Sequence, residues 1–440
     1  MNLRHLASCG LVCTLALAGC DEGRQAPPKV AVRIVNAAPG FADLGFQREQ
    51  SDPLEAVLVF KSAQELTYDA DTYDFYASGR DATSNIQRWS VTKELVEGTR
   101  YVFVLTELAG AVVPVVLEHA PAPSTDAQIL AINAGESLPA MDLYLERPGV
   151  GIGGATPHGT LAAQGQMAAR TLPSGDYELR LTAAGDPTTV LFTSTIISLT
   201  AGVTTTLVVT PEAGETTAAF TVQFVHAVSQ ALVDVNAPTE MRALNAAADR
   251  QPRDFAINRE FAPPLFPAAP FASPTSYASV PVTATLPINV TPPGNPGVLE
   301  LDQTVATVGA FRYTTLFSGD AGTLTHVLTI DDYRRIHGTA KLRFFNTARQ
   351  FTDFIELVLV PTGELPENFA GQIALVAPGA SAHSLLVPGG YDLYLRRAGT
   401  NEILSGPTPV TLDERGIYTV LAVNGPTNVT AEVVLLDDFS

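Results

Sequence analysis

The stretch Pro388-Gly389-Gly390-Tyr391-Asp392-Leu393-Tyr394-Leu395-Arg396 sets the fold of this 440-residue chain. A Pro-Gly-Gly turn leads into a run in which Tyr391, Leu393 and Leu395 share one face and Asp392, Tyr394 and Arg396 the other. That period of two is the pattern of a half-buried β-strand. The element returns as Pro173-Ser174-Gly175-Asp176-Tyr177-Glu178-Leu179 and, degenerate, as Asp71-Thr72-Tyr73-Asp74-Phe75-Tyr76.

Working outward, the chain repeats itself about every hundred residues. Each unit opens on a short strand ending in Asn or His and a small residue: Val32 to Ala37, Ile129 to Ala134, Val222 to Ala227 and Leu342 to Thr347, with Asn36, Asn133, His226 and Asn346 at the ends. An Asp leads the next strand at Asp43, Asp142, Asp234 and Asp353. Later in each unit Gly98, Gly202, Gly309 and Gly416 precede β-rich runs, the last being Gly416-Ile417-Tyr418-Thr419-Val420. Units three and four also close alike, with Ile330-Asp331-Asp332-Tyr333 and Leu436-Asp437-Asp438-Phe439. Val-, Thr- and Tyr-rich strands broken by Gly, Pro and Asp turns, with no sustained helical period, predict an all-β chain of tandem Ig-like antiparallel β-sandwiches. The expected repeats are 30–120, 126–212, 217–334 and 338–440. Residues 237–296 carry twelve prolines and Phe255, Phe261, Phe266 and Phe271. Proline locks φ and removes a donor, so this segment reads as an insertion in the third repeat: a long surface loop and a candidate partner-binding element.

The order of strand with Asn or His, acidic residue, Pro-Gly-x-Tyr turn and Gly-x-Tyr-Thr-Val strand resembles the bacterial family called domain of unknown function 4397. The fourth unit carries the resemblance best, the first and second moderately, and the third is interrupted. The resemblance implies an exported Ig-like sandwich with no established activity, so it transfers no catalytic residues.

The N-terminus predicts export. Arg4 and His5 precede a small-residue apolar run from Leu6 to Gly19, ending in Leu17-Ala18-Gly19-Cys20. Fourteen residues are too few for a membrane span, which needs about 20, and suit a signal-peptide core. The pattern looks like a lipobox, with cleavage after residue 19, lipid on Cys20 and a linker over 20–29. The chain's cysteines are Cys9, Cys13 and Cys20, so the mature protein would keep the anchor thiol alone, with no disulfide and no thiolate site. Asp21 and Glu22 are expected sorting residues, favouring the inner membrane facing the periplasm over the outer membrane or cell surface. Net charge is −19, and −20 once Arg4 is removed. Such a surface argues against nucleic acid as a partner.

Candidate chemistry is sparse. The strand-end Asn and His side chains are expected to bond neighbouring turns, since buried polar groups need partners, and the Asp residues to accept turn N–H groups. Tyr73, Tyr177, Tyr391 and Tyr418 are expected to be structural, their phenols bonding upstream backbone. Gly149-Val150-Gly151-Ile152-Gly153-Gly154 matches a dinucleotide pattern, but Pro157, Gly159 and Gly165 spoil the helix it requires, leaving a hairpin loop. His119, His158, His226, His326, His337 and His383 lack metal spacing, and no metal or other cofactor is expected. The expected function is non-catalytic: an envelope lipoprotein, held on the membrane through its N-terminal lipid, that presents tandem sandwiches for structural or protein-interaction roles, with an envelope protein or glycan as the expected partner. A carbohydrate- or peptidoglycan-binding module is the alternative, favoured if Trp89 and Tyr394 are exposed. A hydrolase would require Ser, His and Asp to cluster in the fold.

Overall fold

In the computed structural model the described residues are 27–438 except 50–52, 80–86, 213, 215, 227, 370–372 and 428. The expected leader, Cys20, Asp21 and Glu22 lie outside them. The chain forms four β-sandwiches with one topology. Counting strands one to eight within each, one sheet has the order 4-1-7-8 and the other 3-2-5-6. In the first sandwich these strands run from Lys29–Asn36 to Ala111–His119. The expectation of antiparallel sheets holds for every pairing but one: strand one lies parallel to strand seven, as Val32 beside Tyr101 and Leu342 beside Tyr418.

The two sheets of a sandwich differ in what covers them. In the 4-1-7-8 sheets the central strands are buried on both faces. Asp126–Asn133, Thr204–Pro211 and Ile417–Asn424 each hide all but one residue. One face packs inside its own sandwich, as Ile129, Ala131, Leu207 and Val209 do in the second. The other face meets a neighbouring sandwich. Val35, Val102, Val104 and Leu117 of the first pack on Leu130, Ile132, Val208 and Val225 of the second. Leu244, Ala246 and Leu316 of the third pack likewise on Phe345, Leu421 and Val423 of the fourth. These "seam" sheets explain the unbroken apolar runs such as Ile129 to Ile132, because a strand covered on both sides has no polar face to show. The four sandwiches therefore form two pairs.

The third repeat does not start at residue 217, and 237–296 is not an insertion. Phe220–Val225 pairs antiparallel with Thr204–Pro211 as strand eight of the second sandwich, and Ser229–Leu232 adds a fifth strand at that edge. The third sandwich opens with Glu240–Ala247, and the Pro/Phe-rich segment supplies its first five strands. Phe255 and Phe266 lie in its core with Met241, Leu286 and Ile288. Proline density misled because Pro252, Pro263, Pro264 and Pro270 fall between strands, and Pro267 lies in an edge strand, where a missing donor costs no ladder bond. The residue equivalent to Asn36 is accordingly Asn245, not His226.

All four strand-end asparagines are fully buried and do the same work. Each Oδ1 accepts the N–H two residues on: Ala38, Gly135, Ala247 and Ala348 at 3.0, 3.1, 3.0 and 3.2 Å. Each Nδ2 donates across the sandwich to a carbonyl near the opposite sheet: Leu58, Pro139, Ala269 and Val376 at 2.9, 3.1, 3.1 and 2.8 Å. Asn245 donates also to Gln251 at 2.8 Å. The amide thus ties the turn after strand one to the facing layer, as expected for Asn36, Asn133 and Asn346. Removing a partner from buried backbone groups costs about 1–3 kcal/mol. Asn245→Ala should therefore lower the stability of the third sandwich by that amount in thermal unfolding. His226→Ala, at a partly exposed turn, should cost less than about 1 kcal/mol. Equal effects would contradict the equivalence of Asn245 with Asn36.

Candidate functional site at the seams

The opposite end of each sandwich, where its chain enters, is held by phenols. Tyr177 donates to Pro173 O at 2.7 Å and Tyr391 to Val387 O at 2.8 Å, each four residues upstream. Tyr418 works in the other sense, its oxygen accepting the Asp413 N–H at 2.9 Å. Tyr101 and Tyr313 accept the N–H of Val96 and Val308 in the same way, at 3.0 and 2.8 Å. Those two were missed as lock residues, although each stands in the same post-Gly strand as Tyr418. Tyr73 differs from its expected role: its ring packs on Tyr68 and Phe75, and its phenol makes no backbone bond among the described residues.

At that same end the third and fourth sandwiches share a buried ion cluster with approximate twofold symmetry. Arg242 and Arg343 each stand three residues before the strand-end Asn, and Asp331 and Asp438 follow the eighth strands. All four are at most 9% exposed. Arg343 donates to Asp331 at 2.5 Å and to Asp438 at 2.8 Å. Arg242 meets Asp438 at 2.8 Å and Asp331 at 3.7 Å. Each Nε also donates to a threonine of the seventh strand, Thr314 at 2.8 Å and Thr419 at 3.2 Å. Tyr277 donates to Asp331 at 2.5 Å, and Tyr333 bonds Tyr277. Burial, with Asp331 alongside, pushes the Tyr277 phenol far above its ordinary range, and burial does the same to Tyr333. Burial works against the Arg242 charge, but Asp438 and Asp331 outweigh it and hold the guanidinium protonated. Two cations and two anions balance in the cluster. The first pair lacks it. Arg33 is kept three residues before Asn36 but bonds Glu65 at 2.6 Å, and the eighth strand ends in His119 and is followed by Ala120.

A cavity of about 530 Å³ opens beside this cluster, lined by Asp332, Arg334, Lys341, His383 and Ser384 among others. Lys341 and Arg334 both pair with Asp332, holding its carboxyl below the ordinary range against the effect of burial. Ser384 pairs with Leu342 and His383 with Arg343. As consecutive strand residues they point to opposite faces. A second cavity, about 540 Å³, lies where all four sandwiches converge, between Gly40, Glu107, Glu136, Arg312, Arg335 and Arg415. Here the linker between the third and fourth sandwiches docks on the first. His337 Nε2 meets Glu107 at 2.8 Å, the His337 N–H reaches Gly40 O at 2.8 Å, and Phe41 packs on the imidazole. Burial pushes the Glu107 carboxyl up, but His337, the Gly40 N–H and Arg415 outweigh it and hold it below the ordinary range.

The remaining expected sites fall elsewhere. Asp142 accepts the Gly185 N–H at 2.7 Å and Asp234 the Thr193 N–H at 3.1 Å, while Asp353 pairs with Arg397. In the third sandwich that role belongs to Asp254, which accepts the N–H groups of Ala268 and Gly294. Gly149 to Gly154 lie in the loop between strands two and three of the second sandwich, and Arg180 donates to Val150 O at 3.0 Å. Trp89 packs against the first core, and Tyr394 covers Gly406, where an added Cβ would lie 2.6 Å from the ring. Both rings are partly exposed. Among the described residues no group of three His, Cys, Asp or Glu side chains could hold a metal ion, and no helix is long and apolar enough to cross a membrane.

Two outcomes follow. Arg343→Met leaves two buried carboxylates facing one guanidinium and should cost about 3–5 kcal/mol in thermal unfolding. Replacing Arg242, Arg343, Asp331 and Asp438 together by apolar residues should cost much less than the sum of the single changes. The second concerns pH. The folded Glu107 value lies below the unfolded one of about 4.3, so its contribution is complete above that pH and is lost as pH falls through the folded value. Acid titration of stability should show this loss below about pH 4.3, and Glu107→Gln should remove that part of the slope.

No family model and no curated protein match this chain. Among solved structures it aligns with the Bacillus anthracis TIE protein at 11% identity and a TM-score of 0.17, covering 93% of this chain and 69% of that one.

Proposed function

We propose that this chain is a non-catalytic lipoprotein of the cell envelope, tethered through Cys20, whose four sandwiches form one body that offers its surfaces to envelope partners. The observation that carries this reading is where the ionisable groups go. The buried Arg242, Arg343, Asp331 and Asp438 are used up in joining two sandwiches, and Glu107 and His337 in docking the linker on the first. Such use of charge favours a chain selected to hold domains in a set arrangement. The lipobox-like Leu17 to Cys20 supports the tether, and two or more acyl chains hold a protein stably on a bilayer. Asp21 and Glu22 favour the inner membrane.

Two measurements test the proposal. Labelled palmitate should enter the parent chain and not Cys20→Ser, and an unlabelled, water-soluble parent would overturn the anchor. In-cell crosslinking and recovery from envelopes should return the same partners for the parent and for His383→Ala with Ser384→Ala. Turnover of an ester or glycan that these two changes abolish would overturn the non-catalytic reading.

A further inference from the structure

We propose that the eighth strand of the fourth sandwich, Ala431–Asp437, pairs antiparallel along its open edge with the same strand of a second copy of this chain. The proposal goes beyond the function above and does not depend on the lipid anchor. The eighth strand lies at the rim of its sheet in the first, third and fourth sandwiches, and an unpaired rim is a template for another strand unless it is guarded. The first sandwich carries Pro114 in the middle of this strand. In the second the rim is already occupied, since Ser229–Leu232 lies along it in antiparallel register. That site shows what this edge accepts: a short extended strand.

The fourth sandwich has neither device. Its strand reads Ala-Glu-Val-Val-Leu-Leu-Asp, with no proline and no lysine, and its central residues are partly exposed. Of its two acids, Glu432 pairs with Arg250 of the third sandwich at 2.5 Å. The Asp438 N–H bonds Ile417 O at 3.0 Å, and the register places Leu436 beside Thr419 and Val434 beside Leu421. In an antiparallel ladder successive residues turn their backbone groups to opposite sides. Glu432, Val434 and Leu436 therefore point theirs at the neighbouring strand, and Val433, Leu435 and Asp437 point theirs outward. No described residue bonds those outward groups.

The edge is complementary to itself. Centred on Val434, antiparallel pairing sets Val433 opposite Leu435, Glu432 opposite Leu436 and Ala431 opposite Asp437. All seven residues overlap and no like charges face each other, which would otherwise oppose pairing. Such a contact is isologous and closes at two copies.

The full chain should sediment as a concentration-dependent dimer. Val433→Pro removes an outward N–H at an edge, where proline is tolerated, and should leave a folded monomer. A disulfide test does not depend on that variant folding. Val434 faces its own copy at a position without ladder bonds, where Cα atoms lie about 4.5 Å apart, within reach of a disulfide. Val434→Cys should give a reducible dimer absent from the parent. Glu432→Cys should give none, because its two copies would sit about 14 Å apart along the strand at roughly 3.4 Å per residue. A monomer at every concentration with no Val434→Cys crosslink would overturn the proposal. So would open-ended growth, the signature of a head-to-tail contact with Thr325–Ile330 of the next copy.

Discussion

Burial of the 4-1-7-8 sheets on both faces is the constraint from which the architecture follows. A sandwich needs one apolar face per sheet, and the other is normally left to water. Here Leu130, Ile132 and Val208, or Phe345, Leu421 and Val423, extend the apolar surface to the second face. At about 25 cal/mol per Å² of apolar surface, a lone sandwich would expose a face of the size that soluble proteins reserve for contacts. Pairing removes that surface from water. The ends of the chain path, the loops and the linkers are then arranged around two such seams.

The two seams share apolar packing and differ in their polar content. The Arg–Asp cluster stands between the third and fourth sandwiches, whereas Gln223 bonds Asn36 O at 3.0 Å between the first and second, and Lys61 pairs with Glu212 at 2.8 Å. A buried ion cluster adds little net stability, because desolvation offsets attraction. It does make mismatched pairing expensive, since a sandwich docked out of register would bury charge without partners. Hydrophobic contact thus supplies the drive to pair, and the ions select the alignment.

Much of this was legible in the residues. Alternation and turn spacing sufficed for the all-β class, and the buried strand-end amide was readable at Asn36, Asn133 and Asn346. The third repeat failed because Phe224-Val225-His226 imitates Phe344-Phe345-Asn346, while Met241-Arg242-Ala243-Leu244-Asn245 was hidden in proline-rich surroundings. An Arg three residues before Asn, shared by Arg33, Arg242 and Arg343, would have given the register. The paired Asp331-Asp332 and Asp437-Asp438 endings were visible as a repeat, but no linear pattern reveals that Asp331 reaches an arginine of the next sandwich. Convergence of four sandwiches around Glu107 and His337, which are 230 positions apart, lies equally beyond local sequence. Alternation places Trp89 on a strand without saying that its ring packs against the first core.

Strand one lies parallel to strand seven, and strand eight returns antiparallel to it, so the first, third and fourth sandwiches receive and release the chain at one end. Met241, Tyr313 and Ile330 stand in one row across the third sheet, and Leu342, Tyr418 and Asp437 in one row across the fourth. Adjacent entry and exit points let a compact body be spliced into a chain, or permuted, without redirecting what flanks it. A gene encoding such units would lengthen easily, yet a single added sandwich would carry an uncovered seam sheet. Growth of this architecture should therefore proceed two sandwiches at a time, and stable descendants should hold them in even numbers.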